Sequence, residues 1–376
     1  MTTYLDCNAT TPVEPRVAEV VTRFLVEDFG NAGSRTHEYG VRAKKAVEAA
    51  RSWVAGVADS DPSEVVFTSG ATESNNLAIL GLADALETRG RTHIVSTAIE
   101  HKAVLEPLEL LKERGFAVEL VAPRADGRIE VDHVVERLRP ETGLVSVMHV
   151  NNETGVIQPV EAIREALADT EIFFHVDAAQ GFGKLSGLEL AGVDLVSVSG
   201  HKMFGPKGIG ALIARRSGYV RPPLAPLMVG GGQERGMRPG TLPVHLVAGL
   251  GEAARLASKE HSRRAKRCEA LRADLLRALA DVPHQVNGDL SQVIPSTINV
   301  SVTGVESEAA IVCLKGIAAV SNGAACTSAS YTTSHVLRAM GLEEARIRSS
   351  LRISWCHLTP AIPGRQIRQI LRRLAG

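Results

Sequence analysis

Lys202 follows the apolar run Leu195-Val196-Ser197-Val198 within Ser199-Gly200-His201-Lys202, 25 positions after Asp177 in Phe174-His175-Val176-Asp177-Ala178-Ala179-Gln180. A lysine at a strand end, desolvated and close to cationic or dipolar groups, loses its proton readily and can form a Schiff base with a cofactor aldehyde. An aspartate at a neighbouring strand end can hold a pyridine nitrogen protonated, so that the ring draws in electrons. Together these two residues predict pyridoxal 5'-phosphate chemistry. Downstream, Cys326 lies in Gly323-Ala324-Ala325-Cys326-Thr327-Ser328-Ala329-Ser330. These small and polar residues describe a loop rather than a packed strand, and an accessible thiol that becomes thiolate is a nucleophile.

Further residues support a site. Ser69-Gly70-Ala71-Thr72-Glu73-Ser74 follows an apolar run and opens a helix-like stretch, so the N–H groups at Ala71 and Thr72, with the Thr72 hydroxyl, suit a phosphate. Plain helix capping accounts for the same motif equally simply. His101, in Glu100-His101-Lys102, can stack on a pyridine ring and shuttle protons near neutral pH. Gln180 can donate to a phenolic oxygen, Asn152 can bond a ring oxygen or a substrate carboxylate, and Arg352 has the fork for a bidentate carboxylate.

The elements that position these residues are visible as alternation. From about residue 62 to 215, β-branched apolar runs (64–68, 92–96, 117–121, 144–148, 172–176, 195–198 and 209–214) alternate with amphipathic stretches such as 73–89 and 102–114. That pattern predicts an α/β fold with a mainly parallel sheet covered by helices. The candidate residues fall just past the C-terminal ends of the strands, where such sheets place ligands. Residues 219–243, rich in Gly and Pro, break the alternation as a long functional loop, and a helix follows over 244–280. Beyond about 285 a second α/β pattern appears, with a strand at 296–302, a helix at 332–340, and a final helix at 363–374 whose arginines form a solvated basic face.

Composition narrows the function classes. The 376 residues carry 42 basic and 42 acidic side chains, so there is no global field for nucleic acid and direct nucleic-acid binding is not expected. Neither a leader nor a membrane-spanning run is evident, which reads as cytoplasmic and free of the membrane. Five scattered cysteines without a C-x-x-C pair form no disulfide framework.

Taken together the residues resemble the IscS/NifS cysteine desulfurases, aminotransferase class V members of the fold-type I PLP enzymes. The resemblance runs from Leu5-Asp6 through Gly30-Asn31, Ser69 to Ser74, Glu100 to Lys102, Asn151 to Glu153, Ser199 to Lys202, Glu234 to Arg238, Gly240 to Pro243 and Ala325 to Ser330. It implies a seven-stranded, mainly parallel sheet in a large domain (15–255), with a smaller α/β domain (1–14 and 256–376) carrying the cysteine loop. It also implies that Lys202 bears the cofactor, that Asp177 meets its ring nitrogen and Gln180 its phenolic oxygen, and that His101 stacks and transfers protons. Ala71, Thr72, Ser199 and His201 would hold the phosphate, with Thr241 reaching it from the partner of a homodimer. Asn152 and Arg352 would hold the carboxylate of L-cysteine, and Cys326 would take its sulfur as a persulfide and pass it to an acceptor protein. Iron-sulfur assembly, tRNA thiolation and DNA phosphorothioation (DndA-type) all fit, and a chain ending soon after the last basic helix favours the more specialised routes. Departures include Cys7-Asn8 for Asn-Ala, Ala32 for proline, Asn322 and Ala324 for serines, and Trp355-Cys356-His357 for Leu-Gly-Arg, with Cys356 close in sequence to Arg352. A selenocysteine lyase, or another class V enzyme, is the alternative. A non-enzymatic sulfur-transfer scaffold would leave Lys202, Asp177, His101, Arg352 and Cys326 together unexplained.

Overall fold

The computed structural model describes residues 2–186, 190–323 and 333–376. Seven strands form the central sheet in the spatial order Val65–Thr68, Gly210–Ala214, Leu195–Ser199, Phe173–Asp177, Thr142–Met148, His93–Thr97 and Ala117–Val121. Gly210–Ala214 pairs antiparallel with both neighbours and the remaining pairings are parallel. The six strands from Val65–Thr68 across to His93–Thr97 are buried almost throughout, as continuous apolar runs in a sheet covered on both faces should be. Helices Ala71–Thr88 and Lys102–Glu113 lie close to the stretches expected from sequence, as do the strands.

Parallel pairing aligns the strand ends. Met148 stands opposite Asp177, and Asp177 opposite Ser197, so the residues that follow each strand emerge along one edge. Gly210 is required there: a Cβ on it would lie 2.3 Å from the Val198 carbonyl oxygen and 2.6 Å from the Gly70 Cα. The absence of a side chain lets the turn at Gly70, which opens the helix Ala71–Thr88, sit against the sheet.

A second, three-stranded antiparallel sheet places Thr297–Val302 between Ser350–Ser354 and His284–Val286. Its apolar residues, including Ile298, Val300, Ile353 and Trp355, form their own core with Ile367 and Leu371 of the final helix. The 36-residue helix Val244–Leu279 joins the two cores, burying Val247 and Leu250 on the first and Leu271 and Leu275 on the second. Near the N-terminus, Leu5 belongs to the second core, so the segment leading to Asn8 runs between the two sheets.

The 219–243 loop has little regular structure. A buried ion pair anchors it, with Arg51 Nη2 2.8 Å from Glu234 Oε1, while the other Glu234 oxygen accepts from the Phe67 amide at 2.8 Å. Among the described residues no helix is long and apolar enough to cross a membrane.

Candidate active site

A cavity of about 540 Å³ opens at the strand ends. It is lined by Ala71, Thr72, His101, Asn152, Asp177, Gln180, Ser199, His201, Lys202 and Arg352, so residues from widely separated segments meet at one cavity. Two expected residues stand apart. Thr241 is exposed and does not line the cavity, and Cys326 lies outside the described residues.

Lys202 sits in the short helical turn Gly200–Lys202 that ends the Leu195–Ser199 strand. Its Nζ donates to the carbonyl oxygens of Asn8 at 2.5 Å and Ala9 at 2.9 Å. Burial pushes its amine down to about 7, and the positive charges of Lys184 and Arg352 act in the same direction. A substantial fraction is therefore neutral, and nucleophilic, at physiological pH.

Asp177 ends its strand almost fully buried. Its Oδ2 accepts from Asn75 Nδ2 at 2.8 Å and its Oδ1 from the Ala179 amide at 3.0 Å. Two donors thus fix the carboxylate while it still lines the cavity. Nearby, His101 caps the helix Lys102–Glu113, its Nδ1 accepting from the Ala103 amide at 3.1 Å. That bond places the proton of the neutral ring on Nε2, and burial lowers the pKa so that the neutral ring is favoured.

At the start of helix Ala71–Thr88 the first intrahelical bond runs from the Ser74 amide to the Gly70 carbonyl, so the Ala71, Thr72 and Glu73 amides precede the helical ladder. Glu73 does not present a bare negative charge there. Burial favours its neutral form, but Arg238 at 2.8 Å and the Ser69 amide at 2.7 Å outweigh this and hold the carboxyl below its usual range. His201 hydrogen-bonds Thr10 Oγ1 through Nδ1 at 3.1 Å, and burial lowers its pKa to about 4, with Lys202 and Lys207 adding to the shift.

The opposite wall is held by Arg352 on the Ser350–Ser354 strand. Its Nη1 donates to the Asn152 carbonyl at 3.0 Å and its Nη2 to Asp6 Oδ1 at 2.7 Å, while Nε is buried with no hydrogen-bond partner among the described residues. Part of the fork expected to receive a carboxylate is therefore engaged within the protein. Gln180 is also engaged, donating to the Asn8 carbonyl at 2.9 Å and accepting from Lys184 at 3.3 Å.

Several important residues were not assigned roles from sequence. Asn8 is a junction: its carbonyl accepts from Lys202 and Gln180, its Nδ2 donates to the Asn152 carbonyl, and its Oδ1 accepts from Thr297. Asn75 braces Asp177 from one turn into the Ala71–Thr88 helix, and its place in the Ser69–Asn76 motif was the available signal. Glu100 is wholly buried, accepting on Oε1 from Thr97 at 2.6 Å and the Met148 amide at 2.8 Å, and burial raises its pKa to about 8. Glu153 is likewise raised to about 7 by burial, with Ser334 Oγ donating to it at 2.5 Å.

A mainly parallel sheet whose strand ends gather Lys202, Asp177 and His101 around one cavity defines the fold-type I class of PLP-dependent transferases. The aminotransferase class-V family model matches residues 3–360, and the chain belongs to that family. It is 48% identical over 355 residues to the cysteine desulfurase IscS of Pectobacterium carotovorum, covering 93% of this chain and 87% of that protein. Among solved structures, DndA from Streptomyces lividans is 52% identical, with a TM-score of 0.82 over 94% of this chain and 99% of the other. SspA in complex with cysteine is 38% identical, with a TM-score of 0.84 over 96% of this chain and all of the other.

Proposed function

We propose that this chain is a cysteine desulfurase that binds pyridoxal 5'-phosphate, converts L-cysteine to L-alanine, and retains the sulfur on Cys326 for transfer to an acceptor. The observation that carries this reading is a lysine amine lowered to about 7 in the same cavity as Asp177, His101 and Arg352. The donor set also suits the cofactor. Asp177 is a braced, buried carboxylate for a ring N–H, and Ala71, Thr72, Ser199 and His201 offer amide, hydroxyl and imidazole groups for a phosphate.

When bound, the cofactor withdraws electrons from the carbons of the amino acid attached to it. Lys202 supplies the amine that holds it and that gives up its place to substrate. His101, carrying its proton on Nε2, exchanges protons at the reacting centre. Gln180 is assigned to the phenolic oxygen, and Asn152 and Arg352 to the substrate carboxylate, both Asn152 and Arg352 lining the cavity.

Cys326 thiolate then attacks the substrate sulfur. The new S–S bond forms as the C–S bond breaks, and that electron pair stays with carbon, which takes a proton to become the alanine methyl. The persulfide sulfur passes to an acceptor protein. The 52% identity to DndA supports an acceptor in DNA phosphorothioation over an iron-sulfur scaffold.

We assign Thr241, exposed on the single chain, to the phosphate site of a partner subunit in a homodimer. Exposed Phe29, Tyr219 and Val229 provide apolar surface for that association. We assign residues 15–255 to a large domain and 1–14 with 256–376 to a small one, a division supported by the separate core around Ile298, Val300, Ile353 and Leu371, while Val336, Leu337, Met340 and Ile347 pack with the first core. The reading is tested by steady-state turnover of the reconstituted enzyme with reductant: L-cysteine should yield alanine and sulfide, and Lys202→Ala should yield neither. Turnover of L-selenocysteine with none of L-cysteine would overturn it.

A further inference from the structure

Beside the active-site cavity lies a second, much smaller one of about 30 Å³. Cys7, Cys268, Cys356 and Lys184 are among its lining residues, and the desulfurase chemistry uses none of these thiols. Cys7 and Cys356 are each 3% exposed and pack together against Phe204. The backbone fixes both: the Cys7 amide donates to the Ser354 carbonyl at 3.1 Å, and the Cys356 amide to Thr359 Oγ1 at 3.1 Å. The Cys7 and Cys356 side chains interact directly, and the Cys356 sulfur accepts from the Thr359 hydroxyl at 3.8 Å.

We propose that Cys7 and Cys356 are an oxidisable dithiol, a modification site at which a peroxide converts the facing thiols into a disulfide. The cavity has room for a molecule a little larger than water. The two sulfurs have different roles. Its neighbour Cys7 and the Thr359 hydroxyl favour Cys356 as thiolate, while the same contact with Cys356 and burial keep Cys7 protonated. Cys268 packs in the second core rather than in the Cys7–Phe204–Cys356 cluster, and burial keeps its thiol protonated.

The chemistry balances with hydrogen peroxide as the oxidant. Cys356 thiolate attacks one peroxide oxygen, the O–O bond breaks, and the departing hydroxide becomes water, leaving a sulfenic acid. Cys7 sulfur then attacks the Cys356 sulfur, the S–S bond forms, the S–O bond breaks, and the leaving hydroxide takes the Cys7 proton. Two thiols and one peroxide give one disulfide and two waters.

The position of the pair gives the bond a consequence. Cys7 precedes Asn8, whose carbonyl holds Lys202 and Gln180, and Cys356 follows the strand carrying Arg352. A disulfide would tie the segment beneath the lysine covalently to the strand on the opposite wall.

The test uses the holoenzyme with Cys326→Ser, which removes the cysteine assigned to sulfur transfer. After hydrogen peroxide, the protein is unfolded, alkylated, digested without reduction and mapped by mass spectrometry. Loss of alkylation at both Cys7 and Cys356 is expected, with a linked Cys7–Cys356 peptide that disappears on treatment with dithiothreitol. Both cysteines remaining alkylatable once the partly exposed Cys313 is oxidised would overturn the proposal. So would sulfinic acid without a cross-link, or a bond from either cysteine to Cys268. The readout is a covalent bond, independent of alanine formation, so its failure leaves the desulfurase reading standing.

Discussion

Lys202 Nζ donates to the main-chain carbonyl of Asn8 at 2.5 Å, a contact between residues 194 positions apart that places the reactive amine against the segment running between the two sheets. A carbonyl accepts from either form of the amine, so this contact is compatible with the neutral state that burial favours.

The first prediction concerns that amine. A lysine titrating near 7 should react with added pyridoxal phosphate at a rate that rises from pH 6 to 8 and then levels. Stopped-flow absorbance on the apoprotein measures this, and a rate still climbing above pH 10 would mean an ordinary lysine. The same shift bears on stability. The folded-state value lies below the ordinary lysine value of 10.5, so the apoprotein should gain stability as pH rises from about 7 towards 10.5.

Asn75→Ala should weaken the cofactor site without dismantling it. It removes the donor to Asp177 Oδ2, a hydrogen bond to a charged group worth about 1.5–3 kcal/mol. The expected outcome is a roughly tenfold or greater loss of pyridoxal phosphate affinity by absorbance titration, with the circular dichroism of the apoprotein unchanged.

Glu100 supplies a pH signature of the opposite sign. Burial raises its folded value to about 8 from 4.5, so its stabilising contribution is full below about 4.5 and is lost as pH rises through 8. Glu100→Gln cannot ionise, and its amide oxygen can still accept from Thr97 and Met148. The difference in melting temperature, variant minus parent, should therefore grow from pH 5 to 9, as read by calorimetry.

Glu234→Ala should be costly despite lying outside the cavity. It leaves Arg51, with 5% of its side chain exposed, with only the largely exposed Glu48, 3.6 Å from its Nε, as a carboxylate neighbour. Breaking a buried pair this way costs about 3–5 kcal/mol, measured as a lower urea midpoint, and it releases the anchor of the loop that carries Thr241.

Much of this organisation was legible in sequence, because the strands are buried and continuously apolar, and because parallel pairing sends their C-terminal ends to one edge. Asp177 and Ser199 end such strands, and Lys202, His101 and Thr72 stand within a few residues of strand ends, so locating the strands locates the site. What escaped assignment acts across long sequence separations. Asn8 works largely through its carbonyl, which any residue possesses, and Asn75 matters only because its helix packs against the Asp177 strand. The engagement of Arg352 with Asp6 joins positions 346 apart, and no local pattern encodes it. The facing of Cys7 and Cys356 has the same origin: the parallel bridge between Asp6 and Ser354 sets their segments side by side.

The central claim is tested most directly by a single turnover with L-cysteine and no reductant, quantifying alanine and mapping added sulfur by mass spectrometry in the parent and in Cys326→Ser. One alanine per site with the sulfur on Cys326, and neither in the variant, is the predicted result. A coloured, cofactor-loaded enzyme that forms no alanine, or that carries the sulfur on another cysteine, would contradict it.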